Sequence, residues 1–278
     1  MAILEASLSS FTHSATRRPM ESKHIATSSP FSLHRGCHEC NLSKLCIPIA
    51  VGAEDIDRLE EIIRQGKMLN RGEYIFEQHT PFRSCFAVRS GAIKTFTVSE
   101  EGEEQVTGFY LPGEIIGLDS VSMEKYSCSA VALERTSVCE IPLEKFEDLA
   151  SDIPSLQHHF FSLMSKEIQE SRQLTMLLSK NSAEERIASL LLSLSTRFSR
   201  RRLSGTNFRL PMPRSDIGNY LGLAVETVSR VITRFQNNGI IKVQGREVQI
   251  LQLEELQKVL RHDTKCLEHQ KESAVNGR

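Results

Sequence analysis

Between Arg71 and Pro142 the chain carries short apolar-aromatic runs, among them Tyr74-Ile75-Phe76, Cys85-Phe86-Ala87-Val88 and Ile93-Lys94-Thr95-Phe96-Thr97-Val98. Ser90-Gly91, Glu101-Gly102 and Pro112-Gly113 punctuate them. Many short strands at this spacing predict a compact antiparallel β-barrel or sandwich. The period then changes. Phe161, Met164, Ile168, Ser171, Thr175 and Leu178 are separated alternately by three and four residues, the spacing of an a/d seam on a long helix. Such a stripe packs either on the domain's own surface or against a second copy of itself, and sustained 3-4 spacing favours self-pairing into a homodimer. The polar pair Ser171 and Thr175 in mid-seam predicts a weaker dimer than an all-apolar seam would give.

Asn181-Ser182-Ala183-Glu184-Glu185 has the form of a helix start, with an N-cap and acids in the first turn, and the apolar helix it opens runs to about Phe198. Ser215–Leu221 then predicts a short helix, Gly222-Leu223 a tight turn, and Ala224–Asn237 a second helix, which is helix-turn-helix spacing. In the second helix Val228, Val231, Ile232 and Phe235 form an inward stripe and leave Glu226, Ser229, Arg230 and Arg234 on other faces. Arg pairs with guanine O6 and N7, Glu accepts from the cytosine amino group, and a Ser hydroxyl serves either role, so these residue types suffice to discriminate base sequence. Asn238-Gly239 ends the helix. Ile240–Val243 and Val248–Leu251 flank a Gln244-Gly245 turn as a hairpin, a wing on which Arg246 is placed to meet phosphate.

Charge sharpens this division. Residues 182–250 hold eleven Lys and Arg against five Asp and Glu, a net +6, which leaves −7 elsewhere in a chain whose total is −1. A basic module on an acidic body suits a polyanion such as double-stranded DNA. No run of eighteen apolar residues appears, and the first twenty residues lack a signal peptide's apolar stretch, so a cytoplasmic protein without a membrane span is expected. Residues 1–36, rich in Ser and Thr with Pro19 and Pro30, predict a mobile extension, a transit peptide being the alternative.

Seven cysteines in a chain without a secretory signal argue against a disulfide framework. Cys37-x-x-Cys40-x-x-x-x-x-Cys46 sets three thiols just before Pro48 on a segment with little secondary structure of its own, where they can converge on one cationic centre. A fourth cysteine, from Cys85, Cys128, Cys139 or Cys266, would complete the shell of a [4Fe-4S] cluster. Zinc held by three cysteines with His34 or His38 is an equal rival, and free thiols are a third reading. The nine histidines are scattered, and no Gly-rich phosphate loop or paired-carboxylate motif stands out, which weighs against an enzyme or electron carrier.

Several of these segments together resemble the FNR branch of the CRP/FNR family of bacterial regulators, over nearly all of residues 37–250. Besides the Cys37, Cys40 and Cys46 spacing, the resemblance rests on Ile47-Pro48, Arg89-Ser90-Gly91, Glu104–Phe109 and Val138–Pro142. It continues through Leu177–Lys180, Ala183–Arg186, Asp216–Leu223 and Val225–Arg230. It implies an α+β chain: a cyclic-nucleotide-binding-like β-roll (jelly-roll) sensor domain, a long dimerisation helix and a C-terminal winged helix-turn-helix domain. The expected segments are an extension at 1–36, the cluster-binding segment and β-roll at 37–155, the dimerisation helix at 156–181, the DNA-binding domain at 182–253 and a tail at 254–278.

The resemblance further implies a [4Fe-4S] cluster on Cys37, Cys40, Cys46 and Cys139, the last chosen over Cys128 by the family's pattern. It implies that Glu226, Ser229 and Arg230, flanked by Val225 and Thr227, read TTGAT-like half-sites in an inverted repeat. It implies oxygen sensing through cluster-dependent dimerisation, control of anaerobic metabolism by activation or repression, and contact with RNA polymerase through a loop around Gly102. Relatives that sense cyclic AMP hold its phosphate with an Arg-Ser pair. Cys128-Ser129-Ala130 stands at that place, so the phosphate would lose its cation and nucleotide sensing is not expected. Oxygen-sensing relatives can carry an acid in the seam where this chain has Ser171.

Overall fold

The structure, a computed structural model, describes residues 36–260. The chain enters through the turns of residues 37–46 and a 3-10 turn at Ile47–Ala50, where Pro48 supplies a φ suited to helix entry and a missing N–H that costs nothing there. Ile47, 1% exposed, anchors this segment in a core with Cys85, Ala87, Ile141 and Phe146. Helix α1 (Ile56–Ile62) follows, and then β1 (Arg64–Leu69), a strand that lies ahead of the predicted strand region. Its apolar content is too thin to announce it, since Gln65, Gly66 and Lys67 break any alternation.

Strands β2 (Tyr74–Phe76), β3 (Ser84–Ser90), β4 (Ile93–Val98), β5 (Glu104–Tyr110), β6 (Ile115–Ile116), β7 (Ser129–Ala132) and β8 (Thr136–Pro142) complete two four-stranded antiparallel sheets, ordered β1-β8-β3-β6 and β2-β7-β4-β5. This is the expected β-roll. Strand β8 lies inside the first sheet and sets Cys139 opposite Ala87 of β3 and Gln65 of β1. A bulge between Val88 and Ser90 leaves Arg89 outside the regular register, and bulges of this kind re-aim side chains.

Helix α2 (Leu143–Asp152) leads into the 27-residue α3 (Pro154–Lys180). Only Leu156 of α3 is fully buried, while Phe160, Leu163 and Leu177 pack on the two cores. Helix α4 (Ala183–Arg200) begins with a reciprocal capping box, in which Ser182 Oγ accepts from Glu185 N–H and Glu185 Oε2 accepts from Ser182 N–H. Strand β9 (Asn207–Arg209), absent from the sequence reading, pairs with the hairpin and makes the wing three-stranded. Helices α5 (Arg214–Leu221) and α6 (Val225–Asn237) and the hairpin β10 (Ile241–Gln244) and β11 (Glu247–Ile250) complete the winged helix-turn-helix, and residues 253–260 are helical. Core residues of the β-roll, including Val106, Phe109 and Leu111, share one apolar cluster with α4, α5 and α6.

Candidate functional site

Two sites emerge, one at each end of α3. At the first, Cys37, Cys40, Cys46 and Cys139 line the same cavity, together with Leu42, Pro48, Ala87, Arg89 and Ile141. Three come from the entry loop and the fourth from the middle of a sheet, so the loop folds over β3 and β8. Short backbone hydrogen bonds tighten that loop: Ser43 N–H to Cys40 O at 3.0 Å and Cys46 N–H to Leu42 O at 3.0 Å. Its start is tied to α1, for His38 N–H donates to Glu60 Oε1 at 2.8 Å and His38 Nε2 lies 2.9 Å from Asp57 Oδ1. Its end is tied to α3, where the Ser155 hydroxyl donates to Ala50 O at 2.7 Å.

Burial, reinforced by the neighbouring Cys139, pushes the Cys37 thiol up to about 12, and burial does the same to Cys46. Cys139 is also raised by burial, while the Arg89 guanidinium opposes the rise at both Cys139 and Cys37. Half-buried thiols crowded in this way hold their protons until a cation replaces them. Arg89, not singled out as a site residue in the sequence, is the cation among the cavity's lining residues. The signal was a strand bulge, which residue pattern does not show.

The other candidate cysteines sit elsewhere. Cys85 is buried in the core beneath the entry segment, and Cys128 lies in a core to which both sheets contribute, with its thiol 3.8 Å from Asp119 Oδ2. His38 is turned to Asp57 and is not among the cavity's lining residues. Cys266 and His34 lie outside the described residues, as do the extension up to residue 35 and the tail from 261. Among the described residues, no three His, Cys, Asp or Glu side chains are arranged to close on a single metal ion.

The second site is α6. Gly222, at φ +61°, turns the chain in the left-handed region open to glycine. At Gly218 a Cβ would stand 2.6 Å from Leu223 O, so only glycine lets the turn fold back on α5. Val228, Val231, Ile232 and Phe235 are buried as their spacing predicted, whereas Val225, Glu226 and Arg230 are exposed and Thr227 and Ser229 half-buried. Arg214 Nη1 donates to Ser229 Oγ at 3.2 Å, and Arg230 Nη2 to Thr227 Oγ1 at 3.1 Å. Arg246 sits in the wing turn, with one guanidinium nitrogen donating to Pro211 O at 3.0 Å. Arg186 Nη2 donates to Leu178 O at 2.8 Å and its Nη1 to Leu221 O at 3.0 Å, joining the end of α3 to the end of α5.

Along α3, Phe161 and Ile168 are 58% and 52% exposed, Ser171 and Thr175 are exposed, and Met164 and Leu178 are half-buried. No helix among the described residues is long and apolar enough to cross a membrane.

A β-roll carrying a winged helix-turn-helix with an uncovered basic recognition helix defines a DNA-binding transcription regulator. The comparisons agree. Residues 67–152 match the cyclic nucleotide-binding domain model and residues 185–259 the Crp-like helix-turn-helix domain model. The transcriptional activator protein Anr of Pseudomonas aeruginosa is 53% identical over 79% of this chain and 90% of its own. The fumarate and nitrate reduction regulatory protein of Vibrio cholerae is 44% identical over 79% of this chain and 88% of its own. The structure of FixK2 from Bradyrhizobium japonicum superposes with a TM-score of 0.66 at 27% identity, covering 71% of this chain and 97% of that one. The chain belongs to the CRP/FNR family, in its FNR-type branch, a family of regulators rather than enzymes.

Proposed function

We propose that this protein is an oxygen-responsive or redox-responsive regulator of genes for anaerobic metabolism, which holds a [4Fe-4S] cluster on Cys37, Cys40, Cys46 and Cys139. The observation that carries this reading is the shared cavity, to which a loop and a sheet bring four thiols and one guanidinium. Four cysteines are the usual ligand set of such a cluster. A zinc site of three cysteines and a histidine would need that histidine beside them, and His38 is turned to Asp57 rather than into the cavity. When bound, the cluster supplies an oxygen-labile inorganic centre.

The chain's own residues carry the consequence. The Ser155 hydroxyl and Ile47 connect the cysteine loop to α3 and to the core beneath it. Phe161, Met164, Ile168, Ser171, Thr175 and Leu178 form the seam on which two copies pair. The partly polar seam makes a marginal dimer, the kind of two-state element that a change at the loop can bias. Arg186 then passes the position of α3 to the helix-turn-helix.

In the DNA complex, Glu226, Ser229 and Arg230, with Val225 and Thr227 beside them, read TTGAT-like half-sites of an inverted repeat, and Arg246 contacts phosphate. RNA polymerase is met through the turn around Gly102, and the setting is cytoplasmic. Cyclic nucleotide is not the signal. The place of a phosphate-binding arginine is taken by buried Cys128, and the nearby Asp119 would repel phosphate.

Purification without oxygen tests this reading. The expected protein is brown, with about four iron and four sulfide per chain, and bleaches in air as dimers are lost. Cys40→Ser is expected to abolish the colour and to weaken binding to the inverted repeat. Colourless parent protein that binds DNA equally before and after air would leave the regulator assignment standing and reject the cluster.

A further inference from the structure

Strand β5 is an edge strand, paired to β4 on one side only. Two of its outer backbone groups are not left to water. Val106 N–H donates to Asn219 Oδ1 at 2.5 Å, and Asn219 Nδ2 donates to Glu104 O at 2.6 Å. The side-chain amide of a helix-turn-helix residue thus stands where the next strand of the sheet would stand, offering one acceptor and one donor to alternate residues of the edge. From the sensor side, Gln105 Nε2 donates to Asn219 O at 3.0 Å. Lys94 Nζ lies 3.5 Å from Asp216 Oδ1, and the rings of Phe109 and Tyr220 meet edge-on at 5.1 Å.

This contact leaves the reading face of α6 open, since Glu226, Arg230 and Thr233 remain exposed while α5 is docked. The joint and bound DNA are therefore compatible in one molecule. Asn219 lies on the helix that precedes the recognition helix, and both of its amide groups are engaged by the sensor domain, so it has no role as a base reader.

We propose that Asn219 is a positioning residue that clamps α5 to the edge of β5 and so fixes the angle at which the sensor domain presents the recognition helix to DNA. An amide suits this task because it carries donor and acceptor in one plane. A carboxylate of the same shape can accept from Val106 but sets negative charge against the Glu104 carbonyl. A dimer bound to two half-sites needs both recognition helices at a fixed spacing and angle, whereas one helix on one half-site does not. Loosening the clamp therefore costs affinity for paired half-sites and spares the single one.

The test uses the full chain prepared without oxygen, with a duplex that the parent protein itself selects from randomised DNA. From that duplex come one copy with a half-site scrambled and copies with the spacer lengthened or shortened by one base pair. Asn219→Ala, which loses two hydrogen bonds at about 0.7 kcal/mol each, is expected to bind the selected duplex about tenfold more weakly, and Gln105→Ala, which loses one across the joint, about threefold. Both should bind the scrambled duplex as the parent does and show a flatter dependence on spacer length. Val106 N–H should exchange with solvent faster in Asn219→Ala, and a retained cooperative thermal unfolding transition would show that the fold is intact. Equal loss on single and paired half-sites, or parent-like spacer dependence in both variants, would overturn the proposal. Selection of a single half-site would also overturn it, through failure of the pairing reading rather than of the clamp.

Discussion

Arg230 stands on the second turn of α6, exposed, with one guanidinium nitrogen on Thr227 Oγ1 and the others available to a base edge. Replacing it by Ala is expected to cost about 1–3 kcal/mol of specific binding and to relax preference at one guanine. Competition binding against duplexes substituted at each position measures this, and the same affinity for all of them in parent and variant would refute the role. Ser229 differs from its sequence reading in one respect. Arg214, at the start of α5, already donates to its hydroxyl, so its remaining lone pair and its proton are what DNA would meet. The stripe of buried residues in α6 was legible because helical period alone decides which positions face inward. The partner of Ser229 was not, because it comes from another helix.

At the scale of elements, α3 carries the clearest unpaired surface. Phe161 and Ile168 are more than half exposed on a helix whose contacts to the rest of the chain lie on another face. Ile168→Glu is expected to shift the protein to monomer in sedimentation while leaving its helical content unchanged, because a charge in an a/d seam is desolvated only when two copies meet. Retention of the parent's dimer would assign that face to some other contact. The exposed stripe was visible in the sequence as a 3-4 repeat. The hydrogen bonds at the two ends of α3, Ser155 to Ala50 and Arg186 to Leu178 and Leu221, were not, since they join residues that pattern treats as unrelated.

Across the whole molecule, the sensor and DNA-binding regions are joined by charge as well as by apolar packing. Glu114, between β5 and β6, takes hydrogen bonds from Arg197 and, at 2.6 Å, from Arg201, both on or just past α4. Burial alone would raise its carboxyl, but the two guanidinium groups outweigh that and hold it below the ordinary value of 4.5. A carboxyl depressed by folding contributes stability above its unfolded pKa, and that contribution is lost as pH falls from there through the folded value. Denaturant unfolding across about pH 6 to 3 should therefore show the parent losing its advantage over Glu114→Gln below about 4.5. At neutral pH the variant is expected to be less stable by about 3 kcal/mol, the low end for one partner removed from a buried pair. A constant difference across the range would show that the pair does not carry this charge.

What the residues determined by themselves was whatever depends on local period and local chemistry. This covers the strand region and its turns, the apolar stripes of α3 and α6, the helix start at residues 181–185, the glycine turn of the helix-turn-helix and the three closely spaced cysteines. Tertiary structure decided what depends on distance in space. It set Cys139, rather than Cys85 or Cys128, on the wall shared with the cysteine loop, because β8 lies inside its sheet with Cys139 opposite Ala87. It also turned Arg89 toward the same cavity through a bulge and brought Asn219 to the edge of β5. Each of these joins residues tens of positions apart, and the free energy that selects them comes from packing and pairing formed only when the whole chain has folded.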